Sequence, residues 1–204
     1  MPCRAQLFIP CRPTAQLHLT SCHPIRYSMV RITAARAAQG NEMPVPAVIA
    51  TAAENYRFNS DTLAKMISDL APDEWFKHPD GNPNHTAWIV GHCIWARKSI
   101  LARLGTVWSQ PWLDLFKRGA PVAEDSSYPA PAAMIESWAE SSKLLAAALE
   151  SASEGVLSQP ATQGPPSADG KISGLIGFLA IHETYHIGQA SYLRGWLGHK
   201  GIMG

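Results

Sequence analysis

Near the end of this 204-residue chain, Leu175, Leu179, His182, His186, Gln189 and Leu193 follow one another at spacings of three and four. That period puts all six on one stripe of an α-helix. The two histidines share the stripe with leucines, so both imidazoles are carried toward a protein interior. A buried imidazole must find a partner or leave a polar atom unsatisfied. Any fold proposed for the chain has to meet that demand.

Three further segments carry the helical period. From Val45 to Leu70, Val48, Ala52, Tyr56, Leu63, Met66 and Leu70 recur at helical spacing, and Pro72 stops the run. The turn "APDEWFKHPDGNPN" ends at Asn84, a suitable N-cap for a helix from about His85 to Leu104 that Gly105 closes. After Pro129 and Pro131, "AMIESWAESSKLLAAALESA" buries Met134, Trp138, Leu144, Leu145 and Leu149 and runs to about Glu154. The proline- and glycine-rich "GVLSQPATQGPPSADG" is then a loop, and Ser173 opens the last helix, which continues to Leu197 and Gly198. Four helices of about 20 residues with no convincing strand predict an all-α, four-helix bundle. The long connection over 106–130 retains Trp108, Trp112, Leu113 and Phe116, and is expected to pack on the bundle as a lid or short helix.

The segment before the first helix is different. Residues 1 to 42 hold five arginines, one acid, three of the four cysteines and four prolines, without helical or strand period. Disorder, an organelle transit peptide and a start assigned upstream of Met29 or Met43 all fit that composition, and all three exclude residues 1–43 from the fold. The folded domain is expected over 44–204. Outside the first 42 residues, 12 basic residues face 15 acidic ones, with no basic stripe of the kind that nucleic acid or an anionic membrane needs. Neither is expected as a partner. Cys93, alone in the folded part, cannot staple it, which points to a reduced, cytoplasmic protein. No segment reaches the roughly 20 apolar residues of a membrane span.

"HETYH" matches the zinc-protease pattern in which two histidines bind metal and the glutamate is the general base. A third ligand is missing from both known continuations. The extended form wants glycine and then histidine, each three residues further on, where this chain has Gln189 and Tyr192. The form with a downstream glutamate fails too, because no acidic residue follows His186 and only His199 remains beyond the helix. A third ligand must come from upstream. In "NHTAWIVGHCIWARKSILARLG", His85, Trp88, His92 and Trp95 share a face. His92 sits mid-helix, whereas His85 lies in the first turn, where capping or exposure is its natural role, and His78 lies in a turn. Gly91 costs about 1 kcal/mol relative to alanine inside a helix, which suggests close backbone packing there.

The pairing of "WIVGH" with "HETYHIGQ" some 90 residues later resembles the DinB family, the DinB/YfiT-like metalloenzymes, over about residues 44–204. The resemblance implies a four-helix bundle in which three histidines from two helices hold a divalent metal. Carried to this sequence, those ligands are His92, His182 and His186. Three neutral imidazoles suit zinc, nickel or iron and leave positions open for water or substrate. Gln189 could orient a ligand or a bound water, and Glu183, rotated about 100° from His182, reads as a surface residue or one behind the ligands.

Two classes of function follow. In the first, the chain is a metal-dependent enzyme acting on a small molecule; related DinB-like proteins include S-transferases and isomerases that use low-molecular-weight thiols, and hydrolysis is the other chemistry open to such a site. In the second, it is a non-catalytic, stress-related or damage-inducible bundle protein whose metal is structural or sensory, although structural zinc sites normally close with four ligands. No catalytic residue beyond the three histidines is assigned, since no serine, cysteine or carboxylate constellation specifies a reaction, and Cys93 is expected to point into packing. The resemblance also raises a homodimer, because family members are often dimers.

Overall fold

The computed structural model describes residues 44–202 apart from 82–83, 122, 166 and 168; the extension expected over 1–43 lies outside the described residues. Five helices follow in chain order: α1 (Ala50–Ile67), α2 (Thr86–Arg103), α3 (Pro131–Glu150), the single turn α4 (Glu154–Leu157) and α5 (Ile172–Trp196). Among the described residues there is no strand, only an isolated antiparallel bridge between Pro160 and Lys171. The all-α class is as expected, and the four long helices are those that the apolar period marks.

Each long helix packs against two others. Both α1 and α2 lie against α3 and α5, so the four surround a common interior. That interior is layered. One apolar cluster takes Leu63 and Met66 from α1, Ile89 and Ile94 from α2, Met134 and Trp138 from α3, and Ile187 and Leu193 from α5. The other takes Tyr56, Ile100, Leu145 and Leu175 with their neighbours, from the opposite halves of the same helices.

Between the two apolar layers lies a polar one to which all four helices contribute. Arg97 of α2, fully buried, donates from Nε and Nη2 to the two carboxylate oxygens of Glu183 on α5, at 2.6 and 2.8 Å. Its remaining donors reach Ser142 Oγ on α3 at 2.6 Å and Ser60 Oγ on α1 at 2.9 Å. The guanidinium also lies over the Trp138 ring, 3.6 Å from its centroid. Such a planar fork meets carboxylate, hydroxyls and an aromatic face at once, which an ammonium cannot. This corrects the reading of Glu183 as a surface residue: it is half of a buried ion pair.

Helix ends depart from expectation in small ways. His85, not Asn84, caps α2, its Nδ1 accepting from the Trp88 amide at 3.1 Å; it is also buried rather than exposed, packed edge-on to Tyr128. Gly105 closes that helix with φ +84°, the left-handed turn glycine favours. Helix α3 stops at Glu150, short of Glu154, and α5 begins at Ile172. Val48 is exposed although it fits the apolar period of the first segment, because α1 proper starts only at Ala50, after a 3-10 turn over Ala47–Ile49. Leu144 is half-buried rather than core.

The charge pair sets the first expected outcome. Glu183→Ala leaves a buried, unpaired guanidinium and should destabilise the protein by about 3–5 kcal/mol in urea denaturation. The double variant Arg97→Met, Glu183→Leu removes both charges and should cost less than the single change. A single-variant loss below about 1 kcal/mol, or a double variant that is the worse of the two, would contradict the account.

Candidate metal centre

Sequence places His92 in the middle of α2, and His182 and His186 one turn apart on α5; the packing of α2 on α5 brings the three rings together. Ring centroids lie 4.9 Å apart for His92 and His186, 5.2 Å for His92 and His182, and 4.5 Å for His182 and His186. One ring nitrogen from each falls within 4.8 Å of the others. No other group of three or more metal-ligating side chains is gathered in this way among the described residues. His92 and His186 are buried, and His182 is half-buried, so the cluster opens on the His182 side.

Each ring's orientation has an identifiable cause. His92 Nδ1 lies 2.7 Å from the Phe116 carbonyl oxygen, which can only accept, so Nδ1 carries the proton and Nε2 keeps its lone pair. The ring is also held by its neighbours along α2: Trp88 stacks nearly parallel, 4.7 Å away at 8°, and Trp95 lies 5.7 Å away at 21°. His186 Nδ1 lies 2.8 Å from Gln189 Oε1, while Gln189 Nε2 donates to the Tyr185 hydroxyl at 3.1 Å. With its amide oriented by that second bond, Gln189 accepts from His186 Nδ1, and His186 Nε2 is left as a lone pair as well.

These two nitrogens are what a metal requires, and the third ring supplies the test of fit. His182 Nε2 lies 3.1 Å from His186 Nε2, close to the about 3.3 Å that separates two nitrogens bound to one tetrahedral zinc. On its far side, His182 Nδ1 is buried with no hydrogen-bond partner. If that nitrogen bears the proton, two lone pairs face each other across 3.1 Å, an arrangement that a cation between them resolves. The donor set therefore fits a divalent ion of the zinc, nickel or iron type.

Burial is the main reason that all three imidazoles hold a proton less readily than usual. For His182 the charges of His92 and Arg118 add to it. For His92 the Phe116 hydrogen bond opposes it. His186 is brought down to about 4, first by burial and then by the two neighbouring imidazoles, against the Gln189 bond. Neutral imidazoles are the metal-binding form.

Gly91 explains how the connection between α2 and α3 reaches His92. A Cβ at that position would overlap the Phe116 ring, which is fully buried on α2 within the 3-10 turn Leu113–Phe116. The close packing suggested by a mid-helix glycine is thus present, and it sets the Phe116 carbonyl over His92. The other candidates lie elsewhere. His199 bonds Glu74 at 3.0 Å near the chain end, His85 caps α2, His78 bonds the Pro79 carbonyl at 3.2 Å, and Cys93 is buried with its thiol pushed up, chiefly by burial. Glu183 of "HETYH" is engaged by Arg97, so the pattern lacks the free general base of a zinc protease as well as its third ligand.

Sequence reasoning missed Arg97, Tyr185 and Arg118. Its place within the apolar run of α2, between Ala96 and Ile100, was the available signal for Arg97; nothing local marks the other two.

A family model described as the DinB superfamily matches residues 55–190, a span that includes His92, His182 and His186. No curated protein matches the chain.

Two outcomes follow from this geometry. Helix propensity alone predicts that Gly91→Ala stabilises α2 by about 1 kcal/mol; overlap with Phe116 should reverse the sign and leave a net loss of about 1–2 kcal/mol on urea denaturation. A stabilised variant would contradict the close approach. The second concerns pH. The folded imidazoles have pKa values below their unfolded value of 6.5, so the folded state binds fewer protons, and the stability they contribute above about 6.5 is lost as pH falls toward the about 4 of His186. The melting temperature of metal-free protein should fall across that window, and less steeply in His186→Asn; a flat or rising profile would contradict the burial of the cluster.

Proposed function

Since this chain belongs to the DinB superfamily, we propose that it is a metal-dependent enzyme acting on a small molecule, with one divalent ion held by Nε2 of His92, His182 and His186. The observation that carries the reading is the pair of hydrogen bonds that Nδ1 of His92 and Nδ1 of His186 donate to Phe116 O and Gln189 Oε1, which keep each proton on Nδ1 and leave both Nε2 lone pairs free. Zinc, nickel and iron all accept three imidazoles. Bound there, such an ion would supply Lewis-acid chemistry, lowering the pKa of a thiol or water at the open side of the site.

The protein's own residues do the rest. Trp88 and Trp95 hold the His92 ring and give the site an apolar wall, and Phe178 stacks at 6.4 Å on His182, so a ligand entering from the His182 side meets aromatic faces. The Tyr185 ring lies edge-on to His186, and its hydroxyl is tied to Gln189. Thiol-dependent group transfer, with a low-molecular-weight thiol as co-substrate, is the chemistry we favour, and hydrolysis is the nearest alternative. Three ligands with no fourth among the described residues favour a reactive centre over a structural one.

Two coarser expectations accompany this reading. No helix among the described residues is long and apolar enough to cross a membrane, and we place the protein in the cytoplasm. The exposed Ile181, Tyr192 and Trp196 on α5 support a homodimer.

Metal analysis of purified protein should find one divalent ion per chain. His186→Ala should remove at least nine-tenths of it and leave a folded protein, whereas Gln189→Leu, which only releases the His186 ring, should weaken metal binding by roughly 10- to 100-fold. Absence of bound metal after loading would end the proposal. A collapse of melting temperature in His186→Ala would instead mark the metal as structural.

A further inference from the structure

The water-facing side of a surface helix normally carries charge, and α1 and α3 conform: Glu54, Arg57 and Asp61 are exposed on the first, Glu136, Glu140 and Lys143 on the second. Helix α5 does not. Its only acidic and basic side chains over 25 residues are Glu183 and Arg194, and both are buried. Its outer side carries instead Phe178, Ile181, Tyr185, Gly188, Tyr192 and Gly195, at alternating spacings of three and four, with Trp196 beside them. That alternation is the seam along which one helix packs against another.

Two glycines in the seam point the same way. Glycine weakens a helix relative to alanine, and at Gly91 the nearby Phe116 ring accounts for it. At Gly188 and Gly195 a Cβ would meet nothing of this chain. Their small size serves an approach from outside. The seam is also self-complementary about Gly188: Ile181 lies seven residues before it and Gly195 seven after, so an antiparallel copy sets each Ile181 opposite a Gly195 and each Tyr185 beside a Tyr192. The area suffices. Phe178, Ile181, Tyr185, Tyr192 and Trp196 are 39, 68, 63, 61 and 48% exposed. At about 150–250 Å² per large side chain, these portions come to roughly 800–1,400 Å² over two copies before the smaller residues are counted, against the about 1,000 Å² that a specific interface needs.

We propose that the outer face of α5 packs antiparallel on the same face of a second copy, two-fold about Gly188, and that the histidine cluster opens at this interface. The inference rests on the homodimer expected above and deepens it by naming the face, its symmetry and its relation to the site. His182 borders the seam, one turn from Phe178 and from Tyr185. Phe178 stacks on His182 and Tyr185 lies edge-on to His186, so a copy that covers those two aromatics covers the side on which the cluster is open.

The test uses the full chain, metal-free, in sedimentation equilibrium. The parent should be a dimer with a dissociation constant in the micromolar range or tighter. Tyr192→Glu puts a charge into the seam twice over, because a two-fold interface repeats every substitution; Gly188→Leu blocks the close approach while meeting nothing in its own chain. Each should weaken the dimer at least about tenfold with the helical content in circular dichroism unchanged, and Phe58→Glu, an exposed apolar position on α1, should leave the dimer intact. Diethyl pyrocarbonate should modify His182 several-fold faster in the monomeric variants than in the parent, as followed by mass spectrometry. A dimer that persists in both seam variants, or an equal rate at His182 in dimer and monomer, overturns this inference while the homodimer stands. A monomeric parent removes the homodimer and the inference together.

Discussion

The two hydrogen bonds from Arg97 to Glu183 fix how α2 and α5 face each other, and the histidine cluster depends on that relation. Glu183 adjoins His182 in sequence, so a carboxylate drawn to the guanidinium at the centre of the four helices sets the rotation of α5 about its axis. His182 and His186 are thereby carried to the side of α5 that faces His92. Ser60 and Ser142 complete the guanidinium's partners from α1 and α3, so all four long helices are registered at one level. A buried pair of this kind gains little net stability over an apolar replacement, but any slip of register strands a charge in the core. Its contribution is a single arrangement of the helices.

A second constraint works from outside. Helix α2 is buried on nearly every side, and the face that the other helices leave uncovered is closed by the Leu113–Phe116 turn. Gly91 lets the Phe116 ring come close enough for its carbonyl to reach His92. The residue that fills the gap on α2 is thus the one that sets the tautomer of a proposed ligand. Packing and ligand orientation meet in one short segment.

Much of this was legible in the sequence because helices advertise themselves locally. The apolar period, with Pro72, Gly105 and the proline-rich loop before α5 as punctuation, marks all four long helices to within a few residues. The His182/His186 pair is legible for the same reason, since a spacing of four is a local fact. His92 was reachable only through its mid-helix position and the family resemblance. Glu183 was misread because its partner lies 86 residues away, and no local pattern reports a contact at that distance. The choice of His85 over Asn84 as the α2 cap depends on a ring nitrogen meeting one amide, which is a matter of chain path rather than residue preference. Phe116 was recognised as an aromatic retained in a loop; that its carbonyl, and not its ring alone, would matter has no signature in sequence, because every residue has a carbonyl.

Nitrogen-15 NMR of the histidine side chains, recorded on the full-length protein before and after one equivalent of zinc, tests the convergence of the three imidazoles most directly. The account predicts that Nδ1 of His92 and of His186 bears a proton in both states, and that Nε2 of His92, His182 and His186 shifts together as zinc is added. A His92 ring that does not respond, or that carries its proton on Nε2, would contradict it.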